Sequence, residues 1–202
     1  MSFEFKECNI KGLLEIQPKV FGDARGYFFE SYNERDFFDA GIKVRFGQDN
    51  QSLSSKGVLR GLHFQKRFSQ DKIVRTVSGK VLDVAVDLRD NSPTFGKWHG
   101  VVLDSQKQNQ FFIPKGFAHG FFTLSDTAIF AYKCSDFYHP EDEGGLIWND
   151  PTINVDWLGF LKDTSNPGPI LSEKDKKHPL FDATKKYFNA DGSEWIGELS
   201  SI

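Results

Sequence analysis

A series of short apolar segments in the middle of the chain constrains the fold most strongly. Apolar and polar residues alternate over runs of five to nine residues, which is typical of strands, and the small polar connections between runs leave no room for long helices. This pattern predicts an all-β, antiparallel sandwich or barrel. The runs are IVRTV (73–77), VLDVAVDLR (81–89), KWHGVVL (97–103), QFFIP (110–114), HGFFTL (119–124) and TAIFAYK (127–133), with LIW (146–148) as a further candidate.

Turn and cap signals add local predictions to this β-rich pattern. Ser78-Gly79-Lys80 lies between the first two runs and predicts a β-hairpin that pairs them. One short helix is predicted over 33–41, where Asn33 is a candidate N-cap and Gly41 ends the segment. A second helix is predicted to begin at Ser172. We expect one domain over 1–180, followed by a C-terminal tail, 181–202, that the pattern does not place in the core.

Composition narrows the classes of protein to which the chain can belong. Its 202 residues suffice for one domain, and the net charge of −3 gives no electrostatic reason to expect nucleic acid. No apolar run approaches the length of a membrane span, and the N-terminus lacks the features of a signal peptide. Cys8 and Cys134 are the only cysteines, so neither a disulfide framework nor a zinc-ligand spacing is present. We therefore expect a cytoplasmic protein without nucleic-acid or membrane partners.

Two of the predicted strands place a histidine among apolar residues. His63 lies in VLRGLHFQ (58–65), close to Arg60, and His119 lies in IPKGFAHGF (113–121). A single strand histidine is more often a structural residue than a catalytic one. Two strands that each present a histidine to an aromatic interior nevertheless predict a pocket.

The segment around His119 also bears on metal binding. The spacing Pro114-x-Gly116-x-x-His119 is typical of the second motif of cupin jelly rolls, whose metal-binding members also supply His-x-His and a glutamate in the first motif. Here Gln65 stands in place of the second histidine, and no glutamate occurs between positions 34 and 141. The expected site is therefore one without a metal.

Without a metal, a histidine in this pocket is free to move protons. Removing a proton next to a carbonyl requires a base near neutral pKa, a carboxylate that orients it, a cation or donor for the enolate oxygen, and an acid on the opposite face. Lys72 is a candidate cation and Tyr132 a candidate acid. Asp83 and Asp175 are both candidate carboxylates, and spacing alone does not choose between them.

Several long segments of the chain resemble the dTDP-4-dehydrorhamnose 3,5-epimerases. The resemblance runs in order over about residues 3–180, and it implies a cupin jelly roll, a homodimer, and no metal or organic cofactor. It also implies action on a dTDP-linked 4-keto-6-deoxyhexose in dTDP-L-rhamnose biosynthesis, which supplies polysaccharide synthesis. The segments are VFGDARGYFFESYN (20–33), QDNQSLSSKGVLRGLHFQ (48–65), GKVLDVAVDLRDNSPTFGKW (79–98), IPKGFAHGF (113–121), YKCSDFYHPEDEGGLIWND (132–150) and PILSEKD (169–175).

The same resemblance implies roles for individual residues. His63 matches the general base, Asp175 its partner, Tyr132 the acid and Lys72 the group that stabilises the enolate. Phe137 stands where many relatives carry a tyrosine that stacks on thymine. The implied substrate-binding residues are Arg25, Glu30, Gln48, Asp49, Asn50, Arg60, His119, Phe137, Glu143 and Lys174, and Asp83 and Tyr138 are possible supporting residues.

Alternative interpretations remain open at this stage. Asp175 could simply begin a helix capped by Ser172, Tyr132 could be a buried structural tyrosine, and Lys72 could be a solvated loop residue. Single epimerisation at C3 or at C5 is the nearest functional alternative. A non-catalytic sugar-binding jelly roll and a metal-dependent cupin oxygenase are more distant ones. The remaining histidines are predicted to be structural or surface residues: His99, His139 and His178.

Overall fold

The structure, a computed structural model, describes residues 2–159 and 168–193. In this part of the chain one α-helix, α1 (Glu34–Asp39), and two 3-10 turns, Pro140–Asp142 and Asp175–Lys177, accompany the strands. The strands are β1 (Phe3–Glu7), β2 (Leu14–Pro18), β3 (Phe21–Asp23), β4 (Gly26–Phe28), β5 (Gln48–Ser55), β6 (Leu59–Gln65), β7 (Lys72–Ser78), β8 (Lys80–Asp87), β9 (Trp98–Asp104), β10 (Gln110–Ile113), β11 (Phe117–Thr123), β12 (Thr127–Cys134) and β13 (Glu143–Gly145).

Two antiparallel sheets pack face to face and confirm the predicted all-β fold. One has the strand order β1-β2-β10-β7-β12-β5, and the other has the order β13-β6-β11-β8-β9. Val74 and Phe130 of the first sheet pack against Ala85 and Phe121 of the second in a shared apolar core. Strands β3 and β4 form a separate small hairpin. This is the layered arrangement of a jelly roll.

The predicted hairpin around Gly79 is wrong. β7 pairs with β10 and β12, whereas β8 pairs with β9 and β11, so the turn crosses from one sheet to the other. Gly79 has φ +80°, and a Cβ at this position would clash with the Thr127 carbonyl oxygen. A short glycine turn and alternating burial are compatible with either connection. The choice depends on strands distant in sequence, which local patterns do not report.

The helix prediction is confirmed, and the other local predictions are partly so. Asn33 Oδ1 accepts hydrogen bonds from the backbone N–H groups of Arg35 and Asp36, so it caps α1. The segment predicted to start a helix at Ser172 forms only the 3-10 turn at Asp175–Lys177. The strand near the run predicted at 146–148 lies earlier in the chain, because β13 covers Glu143–Gly145. Of the predicted run, only Leu146 exchanges backbone hydrogen bonds with β6.

Part of the segment predicted to be a tail covers the outer face of the five-stranded sheet. Phe188 is fully buried in a second apolar cluster, and its carbonyl accepts a hydrogen bond from the Asp90 N–H. Residues 194–202 lie outside the described residues. No helix in the described ranges is long and apolar enough to cross a membrane.

Candidate active site

A cavity of about 480 Å³ lies between the two sheets, where β6 and β11 face β7 and β12. Strand side chains supply most of its wall, and the segment 170–175 closes one side. Backbone hydrogen bonds between Leu59 and Ile170 and between Ile170 and Gly57 fasten this segment to β6. The polar and charged side chains at the cavity are Ser52, Arg60, His63, Lys72, His119, Tyr132, Ser172, Lys174 and Asp175.

His63 and Asp175 form a close pair at this cavity. His63 Nε2 lies 2.6 Å from Asp175 Oδ1, with the imidazole 31% exposed and the carboxylate 5% exposed. Burial acts to raise the pKa of Asp175, but the hydrogen bond to His63, the charge of that imidazole and a hydrogen bond from Ser172 together outweigh burial and hold that pKa below its usual value. An ionised carboxylate only accepts hydrogen bonds, so Nε2 carries the hydrogen. Nδ1 is then the imidazole nitrogen that can accept a proton from a ligand.

The local sequence explains why Asp175 is held so firmly. Ser172 Oγ accepts a hydrogen bond from the Asp175 N–H at 3.1 Å, and the Lys176 N–H donates to the Ser172 carbonyl. The N-cap residue of the 3-10 turn is Lys174, not Ser172, but the Ser172 hydroxyl fixes the backbone at the first residue of the turn and so helps to hold the Asp175 carboxylate beside His63. Asp175 is therefore both a residue at the start of a helical turn and the carboxylate partner of His63, so the two interpretations are compatible.

Lys72 and Tyr132 come from neighbouring strands of the opposite sheet. Tyr132 is in register with Val74, and Cys134 is in register with Lys72, so both side chains project from the same face into the cavity. Burial lowers the pKa of the Lys72 ammonium, although nearby Cys134 and Asp83 oppose that shift. Burial also raises the pKa of Tyr132, so its phenol keeps the proton at neutral pH.

His119 and Asp83 form a second, deeper pair next to His63. His119 is the cross-strand partner of His63, and its Nε2 lies 2.9 and 3.0 Å from the two carboxylate oxygens of Asp83. Burial raises the pKa of Asp83 and lowers the pKa of His119, and the attraction between the two groups opposes both shifts. Arg60 lines the cavity from β6, where its Nε donates to Ser54 Oγ at 3.2 Å.

A smaller cavity of about 280 Å³ adjoins the first and shares His63, Lys72 and Tyr132 with it. The Tyr138 hydroxyl donates to Glu143 Oε2 at 2.6 Å, and this hydrogen bond raises the pKa of Tyr138 to about 12. Burial acts to raise the pKa of Glu143, but its ion pair with Lys174 and the Tyr138 bond lower it overall. Gln48 and Asn50 line the same cavity and are hydrogen-bonded to each other at 3.0 Å.

Comparisons with known proteins identify the family of the chain. A sequence profile of the dTDP-4-dehydrorhamnose 3,5-epimerase family matches residues 7–183. The chain belongs to this family. Enzymes of that name from Methanothermobacter thermautotrophicus and Escherichia coli are 50% identical over 175 residues (86% of this chain, 92% of the relative) and 52% identical over 170 residues (83% and 89%). The crystal structure of a Legionella pneumophila dTDP-6-deoxy-D-glucose-3,5-epimerase in complex with dTDP-4-keto-L-rhamnose superposes with a TM-score of 0.83, at 47% identity, covering 88% of this chain and 92% of that chain.

Four residues that the resemblance to the epimerase family implied as substrate-binding lie away from both cavities of this chain. Asp49 alternates with its neighbours on β5, so it faces the opposite side of the sheet and pairs with Lys133. Phe137 lies on the surface beside Gly47, whereas Tyr138 lines the smaller cavity. Arg25 lies in the exposed turn between β3 and β4, and Glu30 follows that hairpin. Their predicted roles therefore require another copy of the chain or a ligand that extends beyond these cavities.

His178, which the sequence predicts to be a structural or surface residue, lies beside the His63–Asp175 pair. Its Nε2 lies 3.6 Å from Asp175 Oδ1, and its ring centroid is 5.5 Å from that of His63. The signal in the sequence is the i, i+3 spacing from Asp175, which places both side chains on one side of a helical turn. His63, Asp175 and His178 also offer ligand atoms within 4.8 Å of one another.

Gln65 and His119, which stand at metal-ligand positions of cupins, make hydrogen bonds within the chain in this member of the epimerase family. Gln65 Nε2 donates to the carbonyls of Phe68 and Phe137, and its oxygen accepts from the His139 N–H. The Nε2 atom of His119 is bonded to Asp83. Gln65 thus organises the loops at the cavity rim, and a ligand set built on it would have to break three hydrogen bonds.

Proposed function

We propose that the protein is a dTDP-4-dehydrorhamnose 3,5-epimerase. It would convert dTDP-4-dehydro-6-deoxy-D-glucose to dTDP-4-dehydro-L-rhamnose, as a step in dTDP-L-rhamnose biosynthesis. The observation that carries the proposal is the His63–Asp175 pair facing the same cavity as Lys72 and Tyr132. These four groups supply a base, its orienting carboxylate, a cation and an acid, which is the set needed to invert a carbon next to a ketone.

The reaction would proceed by proton transfer on opposite faces of the sugar. The C4 ketone acidifies the hydrogens on C3 and C5. His63 Nδ1 takes one of these protons, and the electron pair of the broken C–H bond moves into an enolate whose negative charge lies on the C4 oxygen. Tyr132 then donates its phenolic proton to the same carbon from the other face, which inverts it. The His63 imidazolium gives its proton to water and the Tyr132 phenolate takes one from water, so that the same steps at the second carbon can complete the product.

The electrostatics of the cavity favour the enolate intermediate. The Lys72 ammonium lies in a half-buried position, where a cation stabilises an adjacent oxyanion more strongly than it does in water. Asp175 is ionised at neutral pH and would stabilise the imidazolium that forms on His63. Side chains alone can carry this chemistry, so the proposed reaction requires no cofactor.

Residues around these four would bind the rest of the substrate. Arg60 is suited to the diphosphate, since a guanidinium binds phosphate oxygens in bidentate geometry. His119, held by Asp83, would contact the sugar. The Tyr138 ring in the smaller cavity is better placed than Phe137 to stack on a thymine ring. The remaining polar groups proposed to bind substrate are Gln48, Asn50, Glu143 and Lys174.

We also propose that the enzyme acts as a homodimer. The β3–β4 hairpin leaves Phe21, Tyr27 and Phe28 between 53% and 69% exposed, and it carries Arg25 far from this chain's own cavity. A second copy that received this hairpin would bury its aromatic rings and would gain Arg25 and Glu30 at the substrate. The measurement is sedimentation with wild type and with Phe28→Ser, which we expect to weaken the dimer.

Proton exchange is the direct test of the activity. We would incubate the protein with dTDP-4-dehydro-6-deoxyglucose in deuterated water and locate the deuterium by NMR. Deuterium at both C3 and C5 is expected, and His63→Ala should abolish it. His139→Ala is the matched control, because this histidine stacks on Phe68 outside the cavities and should leave exchange unchanged.

The pattern of labelling separates the alternatives. Deuterium at one carbon only would identify a 3-epimerase or a 5-epimerase that serves another deoxysugar. Absence of exchange together with retained binding of dTDP would indicate a non-catalytic sugar-binding jelly roll.

A cytoplasmic location is part of the proposal, supported by two cysteines that are both unpaired.

A further inference from the structure

A second cluster of reactive side chains lies at the opposite lateral edge of the sandwich from the proposed active site. Cys8, Glu15 and His99 offer a thiol, a carboxylate oxygen and an imidazole nitrogen that all lie within 4.8 Å of one another. Cys8 follows β1, Glu15 lies on β2 and His99 lies on β9. The proposed epimerase mechanism uses none of them.

Strand register explains why these three side chains meet. His99 is in register with Ala85, which is in register with His119, so the His99 side chain projects from the same face of its sheet as the site histidines. In the other sheet, Glu15 is in register with Phe111, Phe111 with Val74, and Val74 with Tyr132. Residues in register share a face, so His99 and Glu15 both point into the space between the sheets.

The groups in this cluster lack other strong partners. His99 Nε2 is buried and has no hydrogen-bond partner, and its ring centroid lies 6.0 Å from that of Phe111. Within the described ranges, no ion pair or side-chain hydrogen bond engages the Glu15 carboxylate, and Cys8 is a half-buried free thiol. A buried nitrogen without a partner costs free energy unless something satisfies it.

We propose that Cys8, Glu15 and His99 bind one Zn²⁺ ion that joins the edges of the two sheets. Sulfur, imidazole nitrogen and carboxylate oxygen are the ligands that Zn²⁺ takes, and three protein ligands plus a water complete a tetrahedron. Ligand atoms in such a site lie roughly 3.5 Å apart, so each side chain has to move by only about 1 Å. The ion would fasten the β1–β2 hairpin to β9, the edge strand of the other sheet.

The cluster differs from the His63–Asp175–His178 group in two ways. It contains a thiol, which favours zinc over harder cations. Asp175 and His63 are already bonded to each other at 2.6 Å, so an ion there would have to separate them. The proposal is independent of the epimerase activity and can fail without affecting it.

Metal binding to the full-length, metal-stripped protein tests the proposal. Equilibrium dialysis should show one Zn²⁺ per chain, and Co²⁺ should give the visible spectrum of a tetrahedral site together with a thiolate-to-metal band. Cys8→Ser, Glu15→Gln and His99→Gln should each weaken binding by at least about tenfold. At a free Zn²⁺ concentration of 100 Kd, the melting temperature at fixed protein concentration should rise by roughly 5–10 °C.

Two matched variants make the test decisive. Cys134→Ser removes the other cysteine, and His178→Gln alters the other cluster; both should bind Zn²⁺ as wild type does. Absence of the thiolate band in wild-type protein would overturn the proposal, even if the Cys8 variant failed to fold. Loss of binding in His178→Gln but not in Cys8→Ser would also overturn it, by placing the ion at the proposed active site.

Discussion

Asp175→Asn is the substitution that most directly tests the proposed active site. Asparagine keeps the size of the side chain, and its amide oxygen can still accept the hydrogen bond from His63, but it removes the negative charge 2.6 Å from His63. A pair of unit charges about 4 Å apart in a partly buried site interacts by up to about 4 kcal/mol at an effective dielectric of 20. A charged hydrogen bond contributes about 1.5–3 kcal/mol by mutational measurement. Stabilisation of the imidazolium should therefore fall by about 2–4 kcal/mol.

This loss corresponds to a decrease of about 30-fold to 1000-fold in the rate of proton removal. The assay is the initial rate of deuterium incorporation at C3 and C5 under saturating substrate. Glu173→Gln is the matched control, since it makes the same acid-to-amide change at a neighbouring carboxylate that is 77% exposed and pairs with Lys176, and it should leave the rate unchanged. Full activity in Asp175→Asn would refute the reasoning and would leave Asp175 as a structural residue.

Three further substitutions test other parts of the molecule. Tyr132→Phe should keep deuterium entering the substrate while inverted product disappears, and inverted product at the wild-type rate by NMR would exclude the tyrosine as the acid. Lys72→Met should slow exchange at both carbons by about 10²–10³-fold, whereas a loss confined to KM would assign it to binding only. Asp87→Asn should lower the free energy of unfolding by about 3–5 kcal/mol in urea at pH 7, because it breaks a buried pair with Arg89.

The pH dependence of the Asp87 effect has a definite sign. Burial acts to raise the pKa of Asp87, but hydrogen bonds from Arg89, Ser92 and Thr94 outweigh it and lower the pKa overall. A lowered pKa stabilises the fold above the unfolded value of about 4, and that stability is lost as the pH falls through the folded pKa. The difference between wild type and Asp87→Asn should therefore shrink below about pH 4, and a constant difference would contradict this assignment.

The sequence was most informative where a structure depends on nearby residues. The cap at Asn33 and the strand runs are properties of a few consecutive side chains, so α1 and most strands were predicted. The connection at Gly79 depends on what lies opposite in the folded chain, and its prediction was wrong. The position of His178 beside Asp175 depends on the folded chain in the same way, and the sequence did not indicate it. Long family motifs identified the fold, and with them the pairing of His63 with Asp175 became a specific prediction.

Other residues show where such motifs stop being informative. A motif predicts that Asp49 and Phe137 belong near the substrate, but it does not report which way a strand side chain faces. Asp49 alternates outward between Gln48 and Asn50, and the ring at the smaller cavity belongs to Tyr138. Resemblance also gave no information on Cys8, Glu15 and His99, which three separate strands or turns bring together.

The crossing of the chain from one sheet to the other at Gly79 has a consequence for how the protein is made. Because most consecutive strands from β5 to β12 enter different sheets, neither sheet can be completed from one continuous stretch, and β5 must wait for β12 to emerge from the ribosome. His63 meets Asp175 only after a further 112 residues have been synthesised. Folding dominated by such distant pairings is slow. A nascent fragment that ends before Asp175 should therefore show no epimerase activity, so activity reports that the chain has been synthesised and folded past this residue.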